Sequence, residues 1–140
     1  MAKIAKTNAA RLLDSQKIAY ELIPYQVDES DLGAQHIADQ LGEDIRQVFK
    51  TLVLQGDRTG CFVCVIPGSE EVDLKKAAKL SGNKKCALTP MRELLPLTGY
   101  VRGGCSPIGM KKAFPTYIHQ SAEAFPHIYV SAGVRGLQLR

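Results

Sequence analysis

The segment from Phe49 to Ile66 constrains this chain more than any other. Phe49 to Gln55 and Cys61 to Ile66 are rich in β-branched and apolar residues, and Gly56-Asp57-Arg58-Thr59-Gly60 separates them. Two such runs around a glycine-bounded polar stretch read as a β-hairpin. Successive side chains of a strand point to opposite faces. Phe49, Thr51 and Val53 therefore share one face, and Lys50, Leu52 and Leu54 share the other. Both faces are largely apolar, so the strand has to be covered on both sides.

The flanking sequence supplies the cover. Thr7 can cap a first helix carrying Leu12 and Leu13, and the apolar stretch from Ile18 to Tyr25 reads as a strand. Ala34, Ile37, Ala38 and Leu41 fall at helical spacing within Leu32 to Leu41, and Gly42 stops that helix. Asp73 caps a helix containing Leu74, Ala77, Ala78 and Leu80, which ends at Gly82. Thr89 and Pro90 form a cap and first turn for a short helix. Further strands are expected at Tyr100 to Arg102, Thr116 to His119, His127 to Ser131 and Leu137 to Leu139. Helices are interleaved with hairpins, so the pattern predicts an α+β fold with a mixed, twisted sheet, not a doubly wound parallel one. Without a linker or repeat, residues 1–140 are expected to form one domain.

Composition narrows the setting. Hydrophobic residues make up 45% and charged residues 23%, ordinary values for a globular protein. No apolar run approaches the ~20 residues that cross a bilayer. Met1 to Gln16 carries basic residues but no apolar core of a secretory signal. These features predict a cytoplasmic protein with no membrane partner. The four cysteines, Cys61, Cys64, Cys86 and Cys105, then read as free thiols. The net charge of +4 hides an asymmetry: residues 1–74 carry −5 and residues 75–140 carry +9. Lys75, Lys76, Lys79, Lys84 and Lys85 cluster, followed by Arg102, Lys111, Lys112 and Arg135. Such a field attracts a polyanion, and a solvated helix face is the plainer alternative.

Three places could carry chemistry. Lys50 stands in an apolar strand, where its ammonium either snorkels out at the strand end or serves a cleft. Gly103-Gly104-Cys105-Ser106-Pro107-Ile108-Gly109 forms a loop whose backbone N–H groups can approach a ligand closely and form an oxyanion site. An ordinary glycine turn is the alternative there, and neither a Walker nor a dinucleotide spacing is present. Cys61 and Cys64 have the spacing of half a zinc knuckle, but in a strand residues three apart face opposite ways. His36, His119 and His127 supply no paired ligand spacing, so no metal is expected. Cys105 as a nucleophile would need a histidine beside it.

Four stretches, in order, carry a resemblance. They are Gln47-Val48-Phe49-Lys50-Thr51-Leu52; Val72-Asp73-Leu74-Lys75-Lys76-Ala77-Ala78; Gly99-Tyr100-Val101-Arg102 running into the glycine loop; and Ile128-Tyr129-Val130-Ser131-Ala132-Gly133-Val134-Arg135-Gly136-Leu137-Gln138. Together they resemble the YbaK-type Cys-tRNA(Pro) deacylase family, which includes the editing domain of bacterial prolyl-tRNA synthetases. The resemblance implies a twisted, partly barrel-like mixed sheet flanked by helices. It implies an enzyme without cofactor that clears mischarged tRNA, with prolyl-tRNA synthetase as the source of the error. Carried over by position, Lys50 is the essential basic residue, with Thr51 beside it. Gly103, Gly104, Ser106 and Pro107 bind the aminoacyl carbonyl and the terminal adenosine, and Tyr25, Ser131 and Gly133 match pocket positions. Some members carry an acid where Gln138 stands.

The family further implies that the substrate's own thiol attacks its carbonyl, giving a thiolactone and freeing the tRNA. An aminoacyl ester is already activated, so preorganised donors, one cation and good orientation suffice for such a step. Three alternatives stay open at the level of residues: a non-catalytic module binding tRNA or a synthetase, a deacylase for another small amino acid such as Ala, and a hydrolase of small esters.

Overall fold

The computed structural model describes residues 6–28, 30 and 32–140. In chain order it contains α1 (Asn8–Ser15), β1 (Leu22–Pro24), α2 (Ala34–Leu41), β2 (Phe49–Gly56), β3 (Gly60–Pro67) and α3 (Leu74–Ser81). There follow β4 (Cys86–Leu88), α4 (Met91–Thr98), β5 (Thr116–Ile118), β6 (Val130–Ser131) and β7 (Leu137–Leu139). Single 3-10 turns occupy Ile45–Gln47 and Gln120–Ala124.

β2 and β3 pair antiparallel from Phe49↔Pro67 to Gly56↔Gly60 and form the centre of a four-stranded sheet, order β4-β2-β3-β5. β4 joins antiparallel and β5 parallel. A second sheet has the order β1-β7-β6, all antiparallel. The sheets meet at a parallel bridge between Val48 and Tyr129. There Phe49 N–H donates to Tyr129 O and Tyr129 N–H donates to Gln47 O, both at 2.8 Å. The expected mixed α+β arrangement is present, as two sheets joined at an edge without closing into a barrel.

Both faces of the hairpin are covered. Phe49, Val53, Val63 and Val65 pack with Ala9 and Ala10 of α1 and with Val130, Leu137 and Leu139 of the second sheet. On the reverse face Leu54, Phe62, Cys64 and Ile66 pack with Ala77 of α3. α2 covers the junction, where Ile37 and Ala38 meet Val48 and Tyr129. Complete burial of side chains such as Phe62 and Leu54 stabilises the fold by about 1.5–3 kcal/mol each. Cys61 and Cys64 diverge to opposite faces as strand geometry requires: Cys64 joins the α3 side, and Cys61 is half-buried.

The caps follow the sequence in most places. Thr7 Oγ1 accepts from Ala10 N at 3.2 Å, and Asp73 accepts from Lys75 N and Lys76 N at 3.1 Å. α2 and α3 both end on a glycine in the left-handed region, Gly42 and Gly82. Thr89 is not a cap, however. Its N–H donates to Val53 O and extends the edge of β4, and Pro90 takes the N-cap position with no side-chain bond. The strand expected from Ile18 shrinks to Leu22–Pro24, because Ile18 N–H closes the end of α1 on Leu13 O. Tyr100 to Arg102 is not a strand either. Tyr100 N–H is taken by Thr98 Oγ1, and Gly104 N–H turns back onto Val101 O.

The segment between α3 and β4 is locked to the hairpin turn by one buried residue. Asn83 Oδ1 accepts from Arg58 N at 2.9 Å and Thr59 N at 2.8 Å, while Nδ2 donates to Thr59 Oγ1 and Ser81 Oγ, each at 2.8 Å. Asp57 Oδ1 completes the joint by accepting from Lys84 N and Lys85 N. Gly56 leaves the room that the Asn83 amide fills. Asn83→Ala should lower unfolding free energy by about 2 kcal/mol, since it strands two turn N–H groups at a nearly buried site. Urea unfolding measures this, and an unchanged midpoint would contradict the clamp.

Candidate functional site

A cavity of about 350 Å³ opens where β2 leaves the junction of the two sheets. Lys50, Thr51 and Leu52 form its strand wall, and Leu32, Gly33, Ala34 and Ile37 from the start of α2 form the facing side. The mouth carries Arg102 and Gly103, and the inner wall carries Cys105, Ser131 and Gln138. Gly68 lets the start of α2 sit against the end of the hairpin, because a Cβ there would overlap the Ala34 side chain. Lys50 is half-buried and lies on the same strand face as Leu52 and Leu54, toward α3.

The interior has unmet hydrogen-bonding capacity. Thr51 Oγ1 and Gln138 Oε1 are buried and have no partner among the described residues. An unpaired buried polar atom costs about 1–3 kcal/mol, so both are places where a ligand or water gains. Gln138 stands opposite Ser131 across β6 and β7. Ser131 Oγ accepts from Gly133 N at 3.1 Å, which leaves its own proton available to the cavity.

The glycine loop is held by interlock with the 131–136 turn. Gly104 is buried, and a Cβ there would come within 3.1 Å of the Arg135 N and Val134 C atoms. The two backbones therefore touch directly. Arg135 Nε donates to Arg102 O at 2.8 Å across the same contact. Gly133, at φ 107°, leaves space for the Tyr100 ring, whose hydroxyl donates to Ile108 O at 2.7 Å. Ser106 is fully buried and its Oγ accepts from Ile108 N at 3.2 Å.

Of the residues anticipated from sequence, Lys50, Thr51, Gly103 and Ser131 line this cavity. Gly104, Ser106 and Gly133 stand behind it and fix the loop. Pro107 lines a separate groove against α1, with Leu12 and Phe114. Tyr25 packs with the α2 cluster, its N–H donating to Gly136 O at 2.9 Å. Arg102 and Gln138 also line the cavity, and sequence reasoning had not placed them in the site. A signal existed for each: Arg102 precedes the glycine pair, and Gln138 is polar between Leu137 and Leu139.

Cys105 is a poor nucleophile in this setting. Burial pushes its thiol up to about 11, against a smaller opposing pull from the Thr98 hydroxyl. His119 is engaged elsewhere, its ring capping the 3-10 turn through Ser121 N at 3.1 Å, and it does not line the cavity.

Comparison with known proteins places this geometry in context. Residues 30–140 match the family described as aminoacyl-tRNA editing domain. The chain is 49% identical over 134 residues to EbsC of Enterococcus faecalis, provisionally named a Cys-tRNA(Pro)/Cys-tRNA(Cys) deacylase; the match covers 96% of this chain and 82% of EbsC. A shorter match, 32% over 78 residues, joins 56% of this chain to 13% of the proline–tRNA ligase of Fervidobacterium nodosum. A solved structure provisionally described as a trans-editing enzyme for prolyl tRNA synthetase superposes with a TM-score of 0.81 at 23% identity, covering 97% of this chain and 87% of that one.

The thiol of Cys105 supplies a pH test. With a pKa near 11, only about 0.1% is thiolate at pH 8, and the fraction rises about tenfold per pH unit toward that value. Iodoacetamide mapping should therefore label half-exposed Cys61 first and reach Cys105 only above about pH 10. Labelling of Cys105 at neutral pH as fast as a free cysteine would contradict this environment.

Proposed function

Because the chain belongs to the aminoacyl-tRNA editing domain family, we propose that its cavity receives the 3′ end of a mischarged tRNA and cleaves the ester of cysteinyl-tRNA(Pro). The name of EbsC, related to this chain over almost its whole length, supports the cysteinyl substrate. The observation that carries the reading is convergence: Lys50 from a strand and Gly103 from a loop reach one cavity of suitable size for a small aminoacyl group. The short match to a proline–tRNA ligase supports a place beside prolyl-tRNA synthetase, in the cytoplasm where tRNA is charged.

In this reading the aminoacyl carbonyl lies between the Lys50 ammonium and the backbone N–H groups at Gly103. Both stabilise negative charge that develops on the carbonyl oxygen, in a partly dry site where such contacts gain strength. The substrate thiol adds to the carbonyl carbon, a C–S bond forms, and the C–O bond to the ribose breaks. The thiol proton ends on the departing ribose oxygen, giving free tRNA and a thiolactone. The protein supplies orientation and charge, and no side chain of its own is consumed. Arg102 at the mouth adds a positive charge for the phosphate of the terminal nucleotide.

Lys50→Ala should lower the deacylation rate by about 100-fold or more, the scale seen for loss of one oxyanion donor, with unfolding unchanged. Wild-type turnover in the folded variant would refute the role. A second expectation concerns the substrate. A free thiol has a pKa of about 8.5, so cleavage of Cys-tRNA(Pro) should rise with pH through that region as thiolate forms. Methylating the substrate thiol should suppress the reaction. Equally rapid hydrolysis of Ala-tRNA(Pro) would instead make water the attacking group and widen the substrate to small amino acids.

A further inference from the structure

The lysine cluster of residues 75–85 is carried on a rigid frame. Lys75, Lys76 and Lys79 are exposed on α3, and Lys84 and Lys85 are exposed in the turn that follows. Among the described residues, none of these five side chains enters an ion pair. Two neighbouring acids spend their carboxylates on backbone N–H groups: Asp73 caps α3, and Asp57 accepts the Lys84 and Lys85 N–H groups. Asn83 fastens the whole segment to the β2–β3 turn. The five ammonium groups are thus held close together with no carboxylate paired to them among the described residues.

Their position relative to the cavity is set by β2. Lys50 lies near its start and Gly56 at its end, and Gly56 pairs with Cys86, next to Lys85. Six residues of strand span about 20 Å. α3 lies over the face of the sheet to which Lys50 points, because Leu54 on that face packs with Ala77. One face therefore presents a reactive pocket at one end and five ammonium groups at the other.

We propose that the 75–85 segment is the docking surface for the phosphate backbone of the base-paired acceptor stem, with only the unpaired 3′ tail crossing to the cavity. This rests on the reading of the cavity as the site for the aminoacyl end. The residue type favours RNA over an acidic protein: lysine is depleted at protein–protein interfaces, whereas flexible ammonium groups neutralise phosphates and release counterions. The separation acts as a ruler, since a duplex held at the lysines cannot itself enter a 350 Å³ cavity.

The test uses the whole protein and two uncharged RNA probes, a minihelix ending in CCA and the single-stranded tail alone. Their binding is followed by fluorescence anisotropy in wild type, K75E/K76E/K79E and K84E/K85E, with the Lys→Gln versions as milder substitutes should a reversal disturb folding. Minihelix affinity should fall about tenfold or more at moderate salt, with a shallower salt dependence, as expected for lost phosphate contacts. Affinity for the tail should stay within about twofold, because it lacks the duplex phosphates. On tRNA charged with cysteine, KM should rise with little change in kcat. Unaltered minihelix binding in both variants, or equal loss for helix and tail, would overturn the proposal. So would a defect that emerges only when prolyl-tRNA synthetase is added, which would assign the surface to a protein. Wild-type protein that binds the minihelix through these lysines yet cleaves no cysteinyl ester would uphold the surface and overturn the cavity reading.

Discussion

The structure depends on a β-hairpin that is apolar on both faces. Neither β2 nor β3 can meet water along its middle, so other elements are recruited as cover: α1 and the second sheet on one side, α3 on the other. Just after buried Phe49, at Lys50, Thr51 and Leu52, the cover is thinner. There α2 leans across the junction without closing it, and the strand exposes Lys50 and Thr51 to a cavity instead of to packed side chains. The site exists where the covering of the hairpin is incomplete.

Rigidity around that opening comes from backbone meeting backbone. The Gly103–Gly104 turn lies directly on residues 134–135, which leaves no space for a Cβ at Gly104. Loss of side chains at these positions therefore serves close packing of two loops as well as approach to a ligand. Tyr100, wedged over Gly133 and bonded to Ile108 O, ties the same loops together from behind. Backbone held by direct backbone contact in this way suits the fixed dipoles that electrostatic stabilisation requires.

Much of this was legible in the sequence because it follows from local rules. The hairpin, the C-terminal end of α2, both ends of α3, the Thr7 and Asp73 caps and the two-sided cover all follow from periodicity and capping chemistry. The failures share a cause. Thr89 has the right residue type for a cap, yet among the described residues its buried Oγ1 meets no helix N–H, and its own N–H joins the sheet edge through Val53 O. Tyr100 to Arg102 has strand-like composition, yet its backbone groups are spent on turns. The site shows the same division. Lys50 and the glycine loop stood out by residue type, whereas the weaker signals of Arg102 and Gln138 gained meaning once β7, the loop and β2 were brought together.

Every role proposed for the site requires the aminoacyl end of tRNA to reside in the Lys50 cavity. The most direct measurement is a crystal structure with a non-cleavable amide analogue of 3′-cysteinyl adenosine. The carbonyl should lie between Lys50 and Gly103, with Thr51 Oγ1 and Gln138 Oε1 gaining partners from the ligand. Density for the analogue in the groove beside Pro107 and α1, with the Lys50 cavity empty, would contradict it.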